Sequence, residues 1–202
     1  MTVTEFAVLK LQDNLDDQRL QEVLIRCSQR QRGWAQLNQG NSDIFSNIYL
    51  GHVKTSPAVI ITAPWDSPEA HAEWIRTDEN QACNRELAEF VRSVELCHLE
   101  PPAGGRQKAL RGPFRPLGVP FGVHQLSVPS HRRHGVDEAY RALQADLSCD
   151  DDMWAGWRVE EGDDGHHQSL VVFWSDDVGE EQQQRLIGTC QVAQHGSFRC
   201  VV

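Results

Sequence analysis

The 202-residue sequence predicts an α+β protein made of two copies of one β-α-β-β-α-β unit. Three observations carry this. Strand and helix periodicities follow one another in the same order twice. A stretch rich in proline, glycine and basic residues separates the two runs. The runs match best where a strand passes into a helix, AVIITAPWDSPEA against SLVVFWSDDVGEE, with Trp65 and Trp174 in equivalent places.

In the first run, TEFAVLKL from Thr4 to Leu11 reads as a strand. From Asp16 onward Leu20, Val23, Leu24 and Cys27 recur at helical spacing. Ser46 to Val53 alternates and Ala58 to Trp65 is nearly all apolar, which predicts a second strand and a third buried on both faces. Ser67-Pro68-Glu69 is a helix start: a hydroxyl to cap, a proline where its missing N–H costs nothing, and a carboxylate at the positive end of the dipole. The helix is expected to reach about Val91, with a kink or second start at Thr77-Asp78, and VELCHL from Val94 to Leu99 completes the unit.

Residues 101–118, PPAGGRQKALRGPFRPLG, read as a linker between a first half at 1–100 and a second half at 119–202. There the order repeats: strands at Gly122 to Val128, Met153 to Glu160, Gln168 to Trp174 and Ser197 to Val202. A helix is marked by Val136, Ala139, Tyr140, Leu143 and Leu147, and another by Leu186, Ile187 and Cys190. Two open four-stranded sheets in one chain cover one face each with their own helices and pack their bare faces together. The expected result is two tandem ferredoxin-like repeats forming one intramolecular barrel.

The charge balance of 19 Lys+Arg against 29 Asp+Glu gives −10, which repels phosphate backbones and anionic lipid. Neither nucleic acid nor a membrane is an expected partner. The N-terminal residues lack the pattern of a secretory leader, no apolar run approaches a membrane span, and the six cysteines form no CxxC pair, so a cytoplasmic protein with reduced thiols is expected. The histidines His131, His134, His166, His167 and His195 lack HxxxH or HExxH spacing, so no metal site is read from them. The acidic runs Asp150-Asp151-Asp152 and Glu160-Glu161-Gly162-Asp163-Asp164 look like solvated turns. Without GxGxxG, GxxxxGK[ST] or GxSxG, no nucleotide cofactor and no hydrolase triad has support, and no cofactor is expected.

At Trp65-Asp66-Ser67-Pro68-Glu69-Ala70-His71 the sequence resembles the antibiotic biosynthesis monooxygenase-like group of the dimeric α/β-barrel superfamily, in which a strand ends in Trp and a helix opens with a Ser-x-Glu-Ala-His pattern. The second half matches in element order and at Trp174 alone. The resemblance implies a single-chain tandem version of that barrel, with a pocket in each half between the sheet's outer face and the helices, taking aromatic or polyketide-like molecules. The group includes cofactor-free anthrone oxygenases, haem-degrading enzymes, cyclases, decarboxylases, isomerases and dehydratases, so fold implies no single reaction. Two further positions bear on it. Ile61 and Leu170 stand where the anthrone oxygenases carry an Asn four residues before the Trp, and Arg85 matches a helical arginine.

Candidate chemistry comes from histidines on apolar strands. His52 shares a strand face with Ile48 and Leu50, and His124 with Gly122, Leu126 and Val128. A histidine in an apolar cavity titrates near neutrality and serves as general acid or base, so His52 and His124 are the candidate catalytic residues. His71 reads as a packing or capping residue and His98 as a structural one. Tyr49, Trp65, Arg85, Trp154, Arg158 and Trp174 are the candidate substrate-binding residues, the rings giving flat apolar area and Arg158 a cation on the strand face of Trp154.

The expected function is that of a cofactor-independent enzyme of specialised metabolism. It would cyclise, isomerise or dehydrate a polyketide- or terpenoid-like substrate by acid-base catalysis in an aromatic-lined pocket. The alternatives are cofactor-free monooxygenation of a phenolic or anthrone-like substrate, and a non-catalytic small-molecule-binding or stress-response barrel. The sequence leaves a homodimer of the tandem barrel open.

Overall fold

A computed structural model describes residues 2–13, 15–38, 46–103, 120–147, 152–160, 166–188 and 190–201. Most of the expected linker, Cys149 and most of both acidic runs lie outside them. The first half comprises β1 (Val3–Leu11), α1 (Asp17–Asn38), β2 (Asn47–Val53), β3 (Ser56–Trp65), α2 (Pro68–Ile75), α3 (Asp78–Leu87) and β4 (Val91–Glu100). The second comprises β5 (Pro120–Pro129), α4 (Arg133–Asp146), β6 (Met153–Arg158), β7 (His167–Ser175), α5 (Glu180–Ile187) and β8 (Gln191–Cys200). The repeated β-α-β-β-α-β order stands, with one helix divided.

That division has a local cause. Ser67 caps α2, its hydroxyl accepting from the Ala70 N–H at 3.2 Å, and Pro68 opens the helix. The chain then breaks at Thr77, whose hydroxyl donates to the Trp74 carbonyl and accepts from the Asn80 N–H, closing α2 and capping α3. The helix ends at Leu87 rather than near Val91, and β4 starts earlier than the apolar pattern suggested.

The strands close into one barrel in the order β1-β3-β2-β8-β5-β7-β6-β4. The two sheets therefore meet edge to edge as well as face to face. One joint runs from Tyr49↔Cys200 to Val53↔Gly196 between β2 and β8. The other, between β4 and β6, is two residue pairs long, Leu99↔Arg158 and Glu100↔Trp157, extended by a bond from the Val159 N–H to the His98 carbonyl. Closure leaves no open sheet edge in the barrel.

Alternation sorts the strand residues into layers. Phe6, Val8, Tyr49, Ile60, Phe121, Phe173, Trp154 and Phe198 point inward and fill the barrel, with rings meeting edge-on, as Tyr49 and Phe121 do at 4.8 Å between centroids. The opposite faces lie under the helices. Ala7, Leu9, Leu11, Ile48 and Val59 pack against Leu20, Val23, Leu24 and Leu87 in the first half. In the second, Leu126, Leu170, Val172 and Trp174 pack against Tyr140, Leu143 and Leu186. Among the described residues no helix is long and apolar enough to cross a membrane, and the five described cysteines are free.

Candidate active site

A cavity of about 570 Å³ lies between the outer face of the first sheet and the helices α1, α2 and α3. Its walls are largely apolar: Ala7, Leu9, Ile48 and Ile61 from the sheet, Trp74 and Leu87 from the helices, and at the rim the exposed side chains of Val94 and Leu96. Ile61, at the position where the anthrone oxygenases carry their Asn, is part of this apolar wall.

One end of the cavity is polar. The residues of β1 that face the helices are Glu5, Ala7, Leu9 and Leu11, so strand alternation delivers a carboxyl among aliphatic neighbours. Glu5 is 6% exposed. Its Oε2 accepts from the Trp65 indole N–H at 2.9 Å and the Gln31 amide at 3.1 Å, with His71 Nε2 3.4 Å away. Burial pushes the carboxyl up from 4.5 to about 7 despite the two donors and the nearby His98 ring. Desolvation therefore outweighs hydrogen bonding, and Glu5 exchanges its proton near neutrality.

His71, from the first turn of α2, stacks on Trp65 with centroids 4.6 Å apart and planes 18° from parallel. Burial, helped by the His98 ring, pulls it down to about 3, so it is a neutral imidazole. Its Nδ1 is 2.9 Å from His98 Nε2. His98 Nδ1 is 2.8 Å from Glu160 Oε1, and the Glu160 carboxylate also accepts from the His98 backbone N–H. Burial works to raise Glu160, but these bonds outweigh it and hold the carboxyl below the usual range. Two thiols, Cys27 and Cys83, lie elsewhere on the wall.

None of the eight residues singled out from the sequence lines this cavity. His52 is exposed and borders a separate groove with Leu50, Pro57 and Arg199. His124 faces the helix side of the second half, stacked on His195 at 6.0 Å, and burial and that neighbour lower its pKa. Tyr49 and Trp154 belong to the packed barrel interior, turned away from the helices. Trp65 lies just behind the wall as a donor to Glu5. Trp174 is its counterpart in the second core. Arg85 is exposed on α3, and Arg158 is exposed with its Nε 3.6 Å from Glu160. The sequence reading passed over Glu5 and Gln31, and gave His71 and His98 structural roles.

No group of three or more His, Cys, Asp or Glu side chains that could hold a metal ion is found among the described residues. Among the described residues His71 is the histidine on the cavity wall, and its Nδ1 is engaged by His98 and its Nε2 turned to Glu5, so it does not fit as a ligand to haem iron.

No protein-family model matches the chain, and no curated protein matches it. Solved structures do. A candidate monooxygenase from Fusobacterium nucleatum superposes with a TM-score of 0.64 at 4% identity, over 100% of this chain and 93% of the other. One from Lactobacillus acidophilus gives 0.63 at 9%, over 100% and 94%. An anthrone oxidase-like protein gives 0.54 at 15%, over 100% and 92%. At such identities the likeness is one of fold: two ferredoxin-like halves in one chain, closed into an eight-stranded α/β barrel.

Proposed function

We propose that this chain is an enzyme that takes a small, largely apolar molecule into the cavity of its first half and moves a proton to or from it with Glu5. The observation that carries the reading is a buried carboxyl, raised to about 7, on the wall of a largely apolar cavity. A general acid or base works best with a pKa near the operating pH. Gln31 and Trp65 fix the carboxyl's orientation, and the aliphatic wall excludes water from a carbanion or enolate formed beside it. Cyclisation, isomerisation and dehydration of a polyketide- or terpenoid-like substrate all include a proton transfer of this kind. Acid-base duty thus passes from His52 and His124 to Glu5.

A second reading uses the same base. Loss of a proton from an electron-rich phenol or anthrone gives an anion able to reduce O₂, and the monooxygenase and anthrone oxidase-like descriptions of the similar structures favour it.

The compound accumulating when the gene is deleted from its producer is incubated with the purified protein in air and without oxygen. Acid-base chemistry converts it in both, oxygenation in air alone with matching O₂ uptake. Glu5→Gln should retain binding and lose 10²- to 10⁴-fold in turnover. Full turnover by that variant would remove Glu5 from the mechanism, and saturable binding without conversion would make the chain a binding protein.

A further inference from the structure

Glu5 would stall after one transfer if its proton had no way out, since Trp65, Gln31 and apolar side chains enclose it. A file of side chains leads from it to the surface. Glu5 Oε2 is 3.4 Å from His71 Nε2, His71 Nδ1 is 2.9 Å from His98 Nε2, and His98 Nδ1 is 2.8 Å from Glu160 Oε1. Along the file, side-chain exposure runs from 8% at Glu5 through 3% at His71 and 10% at His98 to 38% at Glu160. Two of the three steps have hydrogen-bond length; the first is longer, and such contacts tighten when a substrate fills the site.

The file also has a direction. An ionised Glu160 only accepts, so the facing His98 Nδ1 carries a hydrogen. Between His98 Nε2 and His71 Nδ1 one nitrogen must donate and the other accept. With His98 neutral, His71 donates, and its Nε2 is left bare toward Glu5.

We propose that His71, His98 and Glu160 form the proton exit of the cavity, carrying the proton of Glu5 to solvent across the joint between the two halves. The Glu5 O–H bond breaks as an N–H bond forms at His71 Nε2. The His71 Nδ1 hydrogen passes to His98 Nε2, leaving the His98 imidazolium against the Glu160 carboxylate. The Nδ1 hydrogen of His98 then passes to Glu160, which releases it to water. Each ring takes one proton and gives one up, so atoms and charge balance; the pass leaves the hydrogen of each ring on Nε2, and the same path run backwards reprotonates Glu5 and returns both hydrogens to Nδ1. Glu160 follows β6 of the second half, while Glu5, His71 and His98 belong to the first. The short β4–β6 joint thus has a task beyond closing the barrel, and the second half completes a site whose cavity lies in the first.

The proposal rests on Glu5 as the acid-base group, but its first test needs no substrate. In the ligand-free full chain, nitrogen NMR of the histidine rings, read in the form in which Glu5 holds its proton and His98 carries a single hydrogen, should find that hydrogen on Nδ1 of His98 and the His71 hydrogen on Nδ1 too. Both signals should move with the same midpoint as the Glu5 carboxyl. Glu160→Gln, at a partly exposed position, should slow exchange of the His71 ring hydrogen with water at least tenfold. A His71 hydrogen found on Nε2 under those conditions, or exchange unchanged in Glu160→Gln, overturns the exit. Once a substrate is in hand, Glu160→Gln should lower steady-state turnover with the first turnover intact, and small buffer acids should restore it. If Glu5→Gln keeps full turnover while the ring coupling holds, the catalytic reading fails and the proton path stands.

Discussion

Glu5 and His124 occupy the same place in their respective halves. Trp65 pairs with Val3 across β3 and β1, and Trp174 with Gly122 across β7 and β5; two residues further along the first strand stand Glu5 and His124. The environments differ. Trp65 donates to Glu5, whereas Trp174 Nε1 and His124 Nδ1 are buried without a hydrogen-bond partner among the described residues. The position of His71, six residues after Trp65, is taken in the second half by the exposed Glu180. The two halves share the position and differ in what surrounds it.

The buried carboxyl and imidazole pull stability in opposite directions. Glu5 is raised from 4.5 to about 7, so between those values the unfolded chain ionises while the folded chain holds its proton, and stability falls as pH rises. His71 is depressed from 6.5 to about 3, so its contribution is present above 6.5 and is lost as pH falls. From pH 4.5 to 6.5 the two slopes cancel. Glu5→Gln should uncover the His71 slope, and its stability relative to the parent should grow by on the order of 3 kcal/mol between pH 4.5 and 7. Denaturant midpoints across that range measure this, and parallel curves for the two proteins would refute the raised pKa.

What the sequence made legible follows from how locally each feature is encoded. The apolar run of β3, the Ser67-Pro68-Glu69 cap and the repeated element order depend on neighbours in sequence, and they fold where they were read. The relay depends on partners far apart: Trp65 is 60 residues from Glu5, and Glu160 is 62 from His98. Glu160 looked like part of a solvated acidic turn, and Glu5 was one residue of the first strand with no role of its own. One local signal did exist. Glu5 is in phase with Ala7, Leu9 and Leu11, and a carboxylate in register with an apolar stripe announces burial. His52 shows the converse: it is in phase with Ile48 and Leu50, but the stripe reaches solvent before it.

Trp65→Phe separates the indole's donor from its bulk. The phenyl keeps most of the stack on His71 and loses the 2.9 Å bond that favours the ionised carboxyl. Glu5 should then titrate higher still, at a stability cost of about 1–2 kcal/mol. Carbon NMR of the Glu5 carboxyl follows the titration; an unmoved or lowered midpoint would show that the indole does not hold the charge.

The β2–β8 joint should tolerate no side chain at Gly51. A Cβ there would lie 2.1 Å from the Ser197 carbonyl oxygen and 2.7 Å from Phe198 Cα, both backbone atoms that cannot swing away. Gly51→Ala should destabilise by about 3 kcal/mol or more, the upper end for overpacking. Gly33, with nothing within 4 Å of its would-be Cβ inside α1, is the control and should gain stability as Ala. Thermal melts of both variants decide it, and a Gly51→Ala protein as stable as its parent would mean that the joint is looser than this register.

Cys83 should react with iodoacetamide faster than Cys97 near neutral pH. The neighbouring Cys27 thiol and the guanidinium of Arg30, 4.0 Å from the sulfur, draw the Cys83 thiol below its usual value, while burial pushes Cys97 up to about 12. The thiolate is the reacting form, so Cys83 should be modified at least tenfold faster than Cys97. Because Cys83 lies on the cavity wall, any molecule that fills the cavity should slow its alkylation, and peptide mass spectrometry can read both effects before a substrate is known. Faster loss of Cys97 would reverse the assigned polarity of the two sites. Protection of Cys83 by an apolar aromatic probe would tie the thiol to the space that Glu5 faces, whereas unprotected alkylation at saturating probe would put the probe elsewhere.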